Sequence, residues 1–206
     1  MELNLPTYLT LLRIVLIPVL VALFYLPWEG ARVACALVFM FAGLTDWLDG
    51  YLARKLGLTT RFGAFLDPVA DKLMVAVALV LIVQADPSPM VAISAAVIIG
   101  REITIASLRE WMAEIGQSGK VAVSKLGKWK TTAQMCAIFL LLLGMDVWKE
   151  SLQGFGQMLL VISAVLTLWS MILYLRAALP SFFEDSEVLT GNGRINTISH
   201  LDSTRE

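Results

Sequence analysis

Four aspartates recur at helical intervals in one short stretch of the chain: Asp46, Asp49, Asp67 and Asp71. Asp46 and Asp49 are three apart, and Asp67 and Asp71 four apart, so each pair shares a helix face. Two adjacent helices could thus aim all four carboxylates at one point. Hard oxygen donors of this kind suit Mg2+ or Mn2+, and four negative charges balance two divalent ions. Two close metals are a recurrent device for phosphoryl transfer, because together they stabilise the attacking and the leaving oxygen. Long apolar runs flank the stretch on both sides. A carboxylate beside hydrocarbon costs several kcal/mol unless something neutralises it, so four at once point to bound cations at a membrane surface.

Taken singly, each aspartate has a plainer reading. Asp67 before Pro68 makes a good helix cap and first turn. Asp46 or Asp49 suits the polar end of a span, and Asp71 could pair with Lys72 or Arg54. Ionisable groups inside spans also mark ion pathways, as in a divalent metal-ion carrier. The position of all four near one membrane end favours surface chemistry instead.

The elements that must hold these residues are membrane helices. The chain has 206 residues, 58% of them hydrophobic and 16% charged, with a mean hydropathy of +0.75. That balance is far from a soluble domain and predicts an all-α polytopic membrane protein. The expected architecture is six transmembrane helices with a short N-terminal interfacial segment over Met1 to Thr10, where Asn4 and Pro6 could start a helix. The spans are expected near 8–28, 31–53, 65–84, 90–100 with a more polar continuation through Arg109, 131–145 and 155–175. Pro18 could kink the first, and Glu29-Gly30 and Asp86-Pro-Ser-Pro89 read as breaks. The spans form one domain over residues 1–180, and residues 181–206 read as a polar, mobile tail.

Cys35 and Cys136 lie in apolar runs and read as small buried side chains rather than a disulfide pair. The single histidine, His200, falls in the tail, which argues against histidine catalysis and zinc. The N-terminus lacks a basic start and a small-residue cleavage site, so the first apolar run reads as a retained span. Basic residues gather at the connections holding Arg54, Lys55 and Arg61, and Arg101 to Lys130, whereas the opposite turns hold Arg32 and Lys149. By the positive-inside rule, the aspartates and both termini face the cytoplasm, and the cell's inner membrane is the expected location. Nothing in the pattern calls for nucleic acid.

The small residues beside the acids would admit a ligand. Gly50 follows Asp49, and Ala53 lies one turn further on, leaving room for a nucleotide base or ribose to approach the backbone. Close helix packing explains small residues equally well. Arg54 could bind a phosphate or simply reach the interface.

The full pattern, Asp46-x2-Asp49-Gly50-x2-Ala53-Arg54-x8-Gly63-x3-Asp67-x3-Asp71, resembles the signature of the CDP-alcohol phosphotransferases, with every motif position present. Likeness to bacterial members that use a glycerol phosphate acceptor covers about residues 2–178. It includes Asn4-Leu-Pro6-Thr-Tyr-Leu-Thr10-Leu-Leu-Arg13, Gly100-Arg-Glu-Ile and Ser124-Lys-Leu-Gly-Lys-Trp-Lys-Thr131. The resemblance implies transfer of a phosphatidyl group from CDP-diacylglycerol to sn-glycerol 3-phosphate, with CMP released. It implies Asp46, Asp49, Asp67 and Asp71 as ligands of two Mg2+ or Mn2+ ions, with Asp71 also the general base. It implies a CDP site of Asp49, Gly50, Ala53, Arg54 and Gly63, and a homodimer among membrane lipids. Family members with other acceptors, making cardiolipin, phosphatidylserine or phosphatidylinositol phosphate, share the signature.

An acceptor that carries a phosphate needs cations. Arg101, Arg109, Lys125, Lys128 and Lys130 are the candidates, although basic loops also serve topology and inner-leaflet attraction. Arg101 abuts an apolar run, and Glu102 could pair with it. Thr10 and Arg13 could reach the site from the first span. A groove open sideways to the bilayer would admit the diacyl donor.

Overall fold

In the computed structural model, the described residues are 4–56, 61–115, 125–144 and 149–202. Within them, the side chains of 5, 6, 53, 54, 56, 61, 64, 125–130, 149, 150, 177, 178 and 180–202 are outside the description. Six helices make up the described residues: α1 (Leu5–Tyr25), α2 (Ala31–Leu56), α3 (Arg61–Ala85), α4 (Pro89–Glu114), α5 (Lys125–Gly144) and α6 (Lys149–Asp202).

The breaks fall where the chain loses donors or gains turn formers. Asn4 occupies the N-cap of α1 and Pro6 sits in its first turn, where a missing N–H costs nothing. Of the expected interfacial segment, residues 1–3 lie outside the described residues, and from Leu5 the chain is already α1, which runs unbroken through Pro18. Asp86-Pro-Ser-Pro89 ends α3 and starts α4, and the Ser88 hydroxyl caps α4 by accepting from the Val91 N–H at 3.4 Å. Asp67 is no cap, because α3 begins at Arg61 and carries Asp67 and Pro68 inside it. The helical backbone of α6 continues through the polar segment to Asp202.

Packed neighbours close a ring in the order α1, α2, α5, α6, α4, α3 and back to α1. Leu20, Phe39, Leu79, Ile82, Ile98 and Leu142 fill its main core. A smaller cluster, Ile105, Leu108, Met112 and Tyr174, joins α4 to α6. Gly156 lets α6 lie close on α5, since a Cβ there would stand 2.9 Å from Leu141 Cγ.

Among the described residues, four helices are long and apolar enough to cross a membrane: Thr7–Tyr25, Ala31–Leu52, Pro89–Glu114 and Ser151–Arg176. The chain is thus a multi-pass membrane protein, with four rather than six spans meeting that standard. Aspartates and lysine reduce the apolar character of α3, and the apolar part of α5, Thr131–Gly144, is short. Both helices pack against members of the apolar four. Exposed Trp47 and Tyr51 stack on the outside of α2, with ring centroids 6.0 Å apart, and Lys55 lies beyond them. Exposed Tyr25 and Trp28 stand at the opposite end. At ~1.5 Å per residue, about 30 Å of helix separates Ala31 from Tyr51, matching a hydrocarbon core between two aromatic belts.

The cysteines divide. Cys35 is buried, but Cys136 is exposed on the outer side of α5. An apolar run in a membrane helix turns residues outward to lipid as readily as inward, so the sequence alone misplaces Cys136.

Candidate active site

The aspartates lie at the level of the Trp47–Tyr51 stack, and α1 ties their two helices together. Arg13 donates from Nη1 to Asp46 Oδ1 at 2.6 Å and from Nη2 to Asp49 Oδ2. Thr10, one turn earlier on α1, donates its hydroxyl to Asp67 Oδ1 on α3. Arg13 and Asp49 are both nearly sealed, with 1% and 4% of their side chains exposed, while Asp46 keeps 41%. Such a buried pair is held by its geometry: either partner alone would be an uncompensated charge.

Electrostatically the site is unbalanced. Burial strips water from Asp49; Arg13 attracts it, and Asp67 and Asp46 repel it. Asp71 is likewise desolvated, repelled by Asp46 and by Glu102, and attracted by Arg13 and Lys72. One guanidinium thus serves several acids. Neighbouring Thr45 is satisfied within its own helix, donating to Ala42 O at 2.7 Å.

The donor set has the composition of a divalent-cation site. All the donors are oxygen, in excess of the local positive charge, which is the chemistry of a hard-cation site. As placed, the carboxylates turn to Arg13 and Thr10, and among the described residues no three acidic, histidine or cysteine side chains converge on one point. The set fits the metal in kind and in charge.

Two cavities adjoin the acids. One, of about 480 Å³, runs between α2 and α5 at the outer surface, lined by Phe39, Gly43, Met135 and Phe139, with Asp46 among its walls. The other, of about 50 Å³, lies where α3, α4 and α5 meet and holds Asp71, Lys72, Glu102, Thr131 and Gln134.

Arg101 and Arg109, two turns apart on α4, flank Tyr174 of α6, with guanidinium carbons 5.7 and 5.6 Å from its ring centre. Arg101 donates to Glu102 at 2.9 Å and to the Ser170 hydroxyl at 3.1 Å. Among the described residues, its buried Nε has no hydrogen-bond partner. Arg109 donates to the Tyr174 hydroxyl at 3.4 Å.

The expected residues therefore separate into groups. Asp46 and Asp49 come together on Arg13, Asp67 joins through Thr10, and Asp71 faces the small cavity. Gly50 is partly exposed on α2 and Gly63 is buried in α3. The side chains of Ala53, Arg54, Lys125, Lys128 and Lys130 lie outside the described residues. Arg13 is more central than its sequence position suggested. Its signals are that it is the only charge in its span, and that Thr7, Thr10 and Arg13 recur every three residues and are all buried. Ser170 and Tyr174 carried no such signal, because hydroxyl residues in an apolar helix are common.

The chain belongs to the family of CDP-alcohol phosphatidyltransferases, whose profile matches residues 3–169. It spans nearly the whole length of the relatives it matches. A protein of Pectobacterium atrosepticum is 57% identical over 180 residues, covering 86% of this chain and 96% of the relative. One of Sodalis glossinidius is 55% identical over 184 residues, covering 89% and 100%, and one of Haemophilus influenzae is 52% identical over 190, covering 91% and 100%. All three are named CDP-diacylglycerol–glycerol-3-phosphate 3-phosphatidyltransferase.

Proposed function

We infer that the protein transfers the phosphatidyl group of CDP-diacylglycerol to sn-glycerol 3-phosphate, yielding phosphatidylglycerophosphate and CMP. The observation that carries this reading is the double position of Asp46, which pairs with Arg13 in the acidic site and also walls the apolar groove between α2 and α5. A donor with a lipid body and a diphosphate head needs that junction. Its acyl chains lie in the groove, and the head reaches the acids.

Asp46, Asp49, Asp67 and Asp71 would hold Mg2+ or Mn2+, two ions by charge, which when bound supply Lewis-acid stabilisation of charge on the phosphoryl oxygens. By the family resemblance, Asp49, Gly50, Ala53, Arg54 and Gly63 would form the CDP site. Arg101 and Arg109 hold the acceptor phosphate, supported by the unpartnered Nε of Arg101, which can still donate. Lys125, Lys128 and Lys130 add positive charge at the start of α5. Asp71 accepts the proton of the acceptor hydroxyl as its oxygen attacks the phosphorus that bears the diacylglycerol. The bond from that phosphorus to the CMP oxygen breaks, and CMP leaves. Positioning and electrostatics carry most of the acceleration.

All six helices cross the membrane, with the acids at the cytoplasmic face of the inner membrane. The excess of Lys and Arg at that end, against Arg32 and Lys149 at the other, supports this orientation. The family resemblance supports a homodimer. The test is CMP release by purified protein given CDP-diacylglycerol, Mg2+ or Mn2+, and a panel of alcohols. Release is expected to require both metal and glycerol 3-phosphate. Equal rates with inositol phosphate or phosphatidylglycerol would overturn the acceptor assignment.

A further inference from the structure

The two acid-bearing helices, α2 and α3, pack on each other only slightly, whereas both lie along α1. The placement of Asp46 and Asp49 relative to Asp67 is therefore set through α1. The face that α1 turns to them carries three polar residues at steps of three, Thr7, Thr10 and Arg13, all sealed from solvent. A polar row buried in an otherwise apolar helix is costly unless its groups are bonded. Two of the three donate to the acids. Thr10 donates to Asp67 Oδ1, and Arg13 donates from one terminal nitrogen to Asp46 Oδ1 and from the other to Asp49 Oδ2.

Neutralising buried charge does not account for this pattern. Thr10 carries no charge, yet it meets Asp67. A point charge would neutralise Asp49 without also fixing Asp46, which is largely open to water and needs no such partner. The planar guanidinium instead holds two carboxylates, one helical turn apart, in a single arrangement. An ionised carboxylate offers about four lone-pair positions on its two oxygens. A donor on one oxygen thus orients the acid and leaves room on it for a ligand, even on Asp49, which also accepts from the Gly50 N–H. Carboxylates that ligate metals are themselves held by hydrogen bonds in this way.

We propose that Thr10 and Arg13 are positioning residues for the divalent-cation site. From α1 they orient Asp67 and the Asp46–Asp49 pair, so that acids from two helices present oxygens to a shared cation. The inference rests on the metal-dependent transfer read above. Thr10 and Arg13 supply no ligand themselves and act through the acids.

The experiment titrates full-length protein in detergent with Mn2+ alone, the free ion being read from its EPR signal. Wild type is compared with three variants. Thr10→Val keeps the shape and loses the hydroxyl, Thr10→Ser keeps the hydroxyl, and Arg13→Lys keeps the charge and loses the two-pronged geometry. Thr10→Val and Arg13→Lys are expected to raise the Mn2+ Kd by about tenfold or more, and Thr10→Ser to stay near wild type. The Mn2+ concentration for half-maximal CMP release should move by the same factor. Loss of folded protein lowers the number of sites and the maximal rate, so a purely structural role leaves both midpoints in place. Thr10→Val, uncharged and close in volume, keeps the test decisive even where Arg13→Lys does not accumulate. Unchanged midpoints in Thr10→Val or in Arg13→Lys overturn the proposal, as does Mn2+ binding in Thr10→Ser as weak as in Thr10→Val. Wild type whose CMP release needs no divalent ion sinks the metal-dependent reading and this inference with it. Metal-dependent release with unshifted midpoints in the variants sinks this inference alone.

Discussion

The two ends of the bundle both gather polar groups around aspartate, half-exposed at one end and more deeply buried at the other, and they are wired differently. At the end opposite the candidate site, Asp86 accepts from Gln153 Nε2 at 3.1 Å and Gln157 Nε2 at 2.6 Å, both on α6, and from the Ser88 N–H at 3.3 Å. Tyr25 donates to Gln84 beside it. One acid meets several neutral donors there, and the result clasps the α3–α4 turn to α6. At the other end, Arg13 and Thr10 are shared among acids that repel one another. The first arrangement is complete without a ligand. The second keeps an excess of negative charge, and that excess is what a divalent cation would relieve.

Mutations can sharpen or break this contrast. The largest effect is expected from Asp71→Asn, which should cut CMP release by about a thousandfold without lowering thermal stability, because a repelled charge is removed. Substantial remaining turnover would refute the general-base role. Next comes Arg13→Ala, which strands Asp49 as a buried lone charge and should cost about 3–5 kcal/mol of stability. Denaturation in detergent measures it, and a loss as small as that of an exposed pair would mean water reaches Asp49. Arg101→Ala should raise the KM for glycerol 3-phosphate by at least about tenfold, the cost of a charge-assisted hydrogen bond to phosphate. Equal damage to the CDP-diacylglycerol KM would count against a separate phosphate pocket.

The smallest effect belongs to the clasp. Asp86→Asn should cost about 1 kcal/mol and leave CMP release unchanged. The clasp should also respond to pH. Burial works to raise the Asp86 pKa, but the donors from Gln153, Gln157 and Ser88 outweigh it and hold the carboxyl below its ordinary value. The folded value is therefore below the unfolded one, about 3.9. The contribution is full above that value and disappears as pH falls through the folded pKa. Stability of wild type and Asp86→Asn should converge on acidification; a constant gap would show that the clasp does not depend on charge.

Much of this was legible in the sequence, for local reasons. The aspartate spacings fixed two shared faces because helical periodicity is a local rule, and the breaks at Glu29-Gly30 and Asp86–Pro89 follow from residues that cannot continue a helix. What stayed open was long-range pairing: Arg13 could be placed at the site, but not on particular acids. Arg13 finds Asp46 and Asp49 across 33 and 36 residues, and Gln153 and Gln157 find Asp86 across 67 and 71. No window of sequence contains both members of such a pair. The α3 and α5 helices fall short of the apolar standard for a related reason. Their polar residues are tolerated because neighbouring helices cover them, and coverage belongs to the packed bundle rather than to the segment.

The groove between α2 and α5 lies on the flank of the bundle, its walls mostly apolar. Donor and product can then exchange by sliding within a sheet of lipid, with their hydrocarbon tails never wetted. Turnover would follow the donor's mole fraction in the bilayer, and diluting it with inert phospholipid would slow the reaction even at constant total donor.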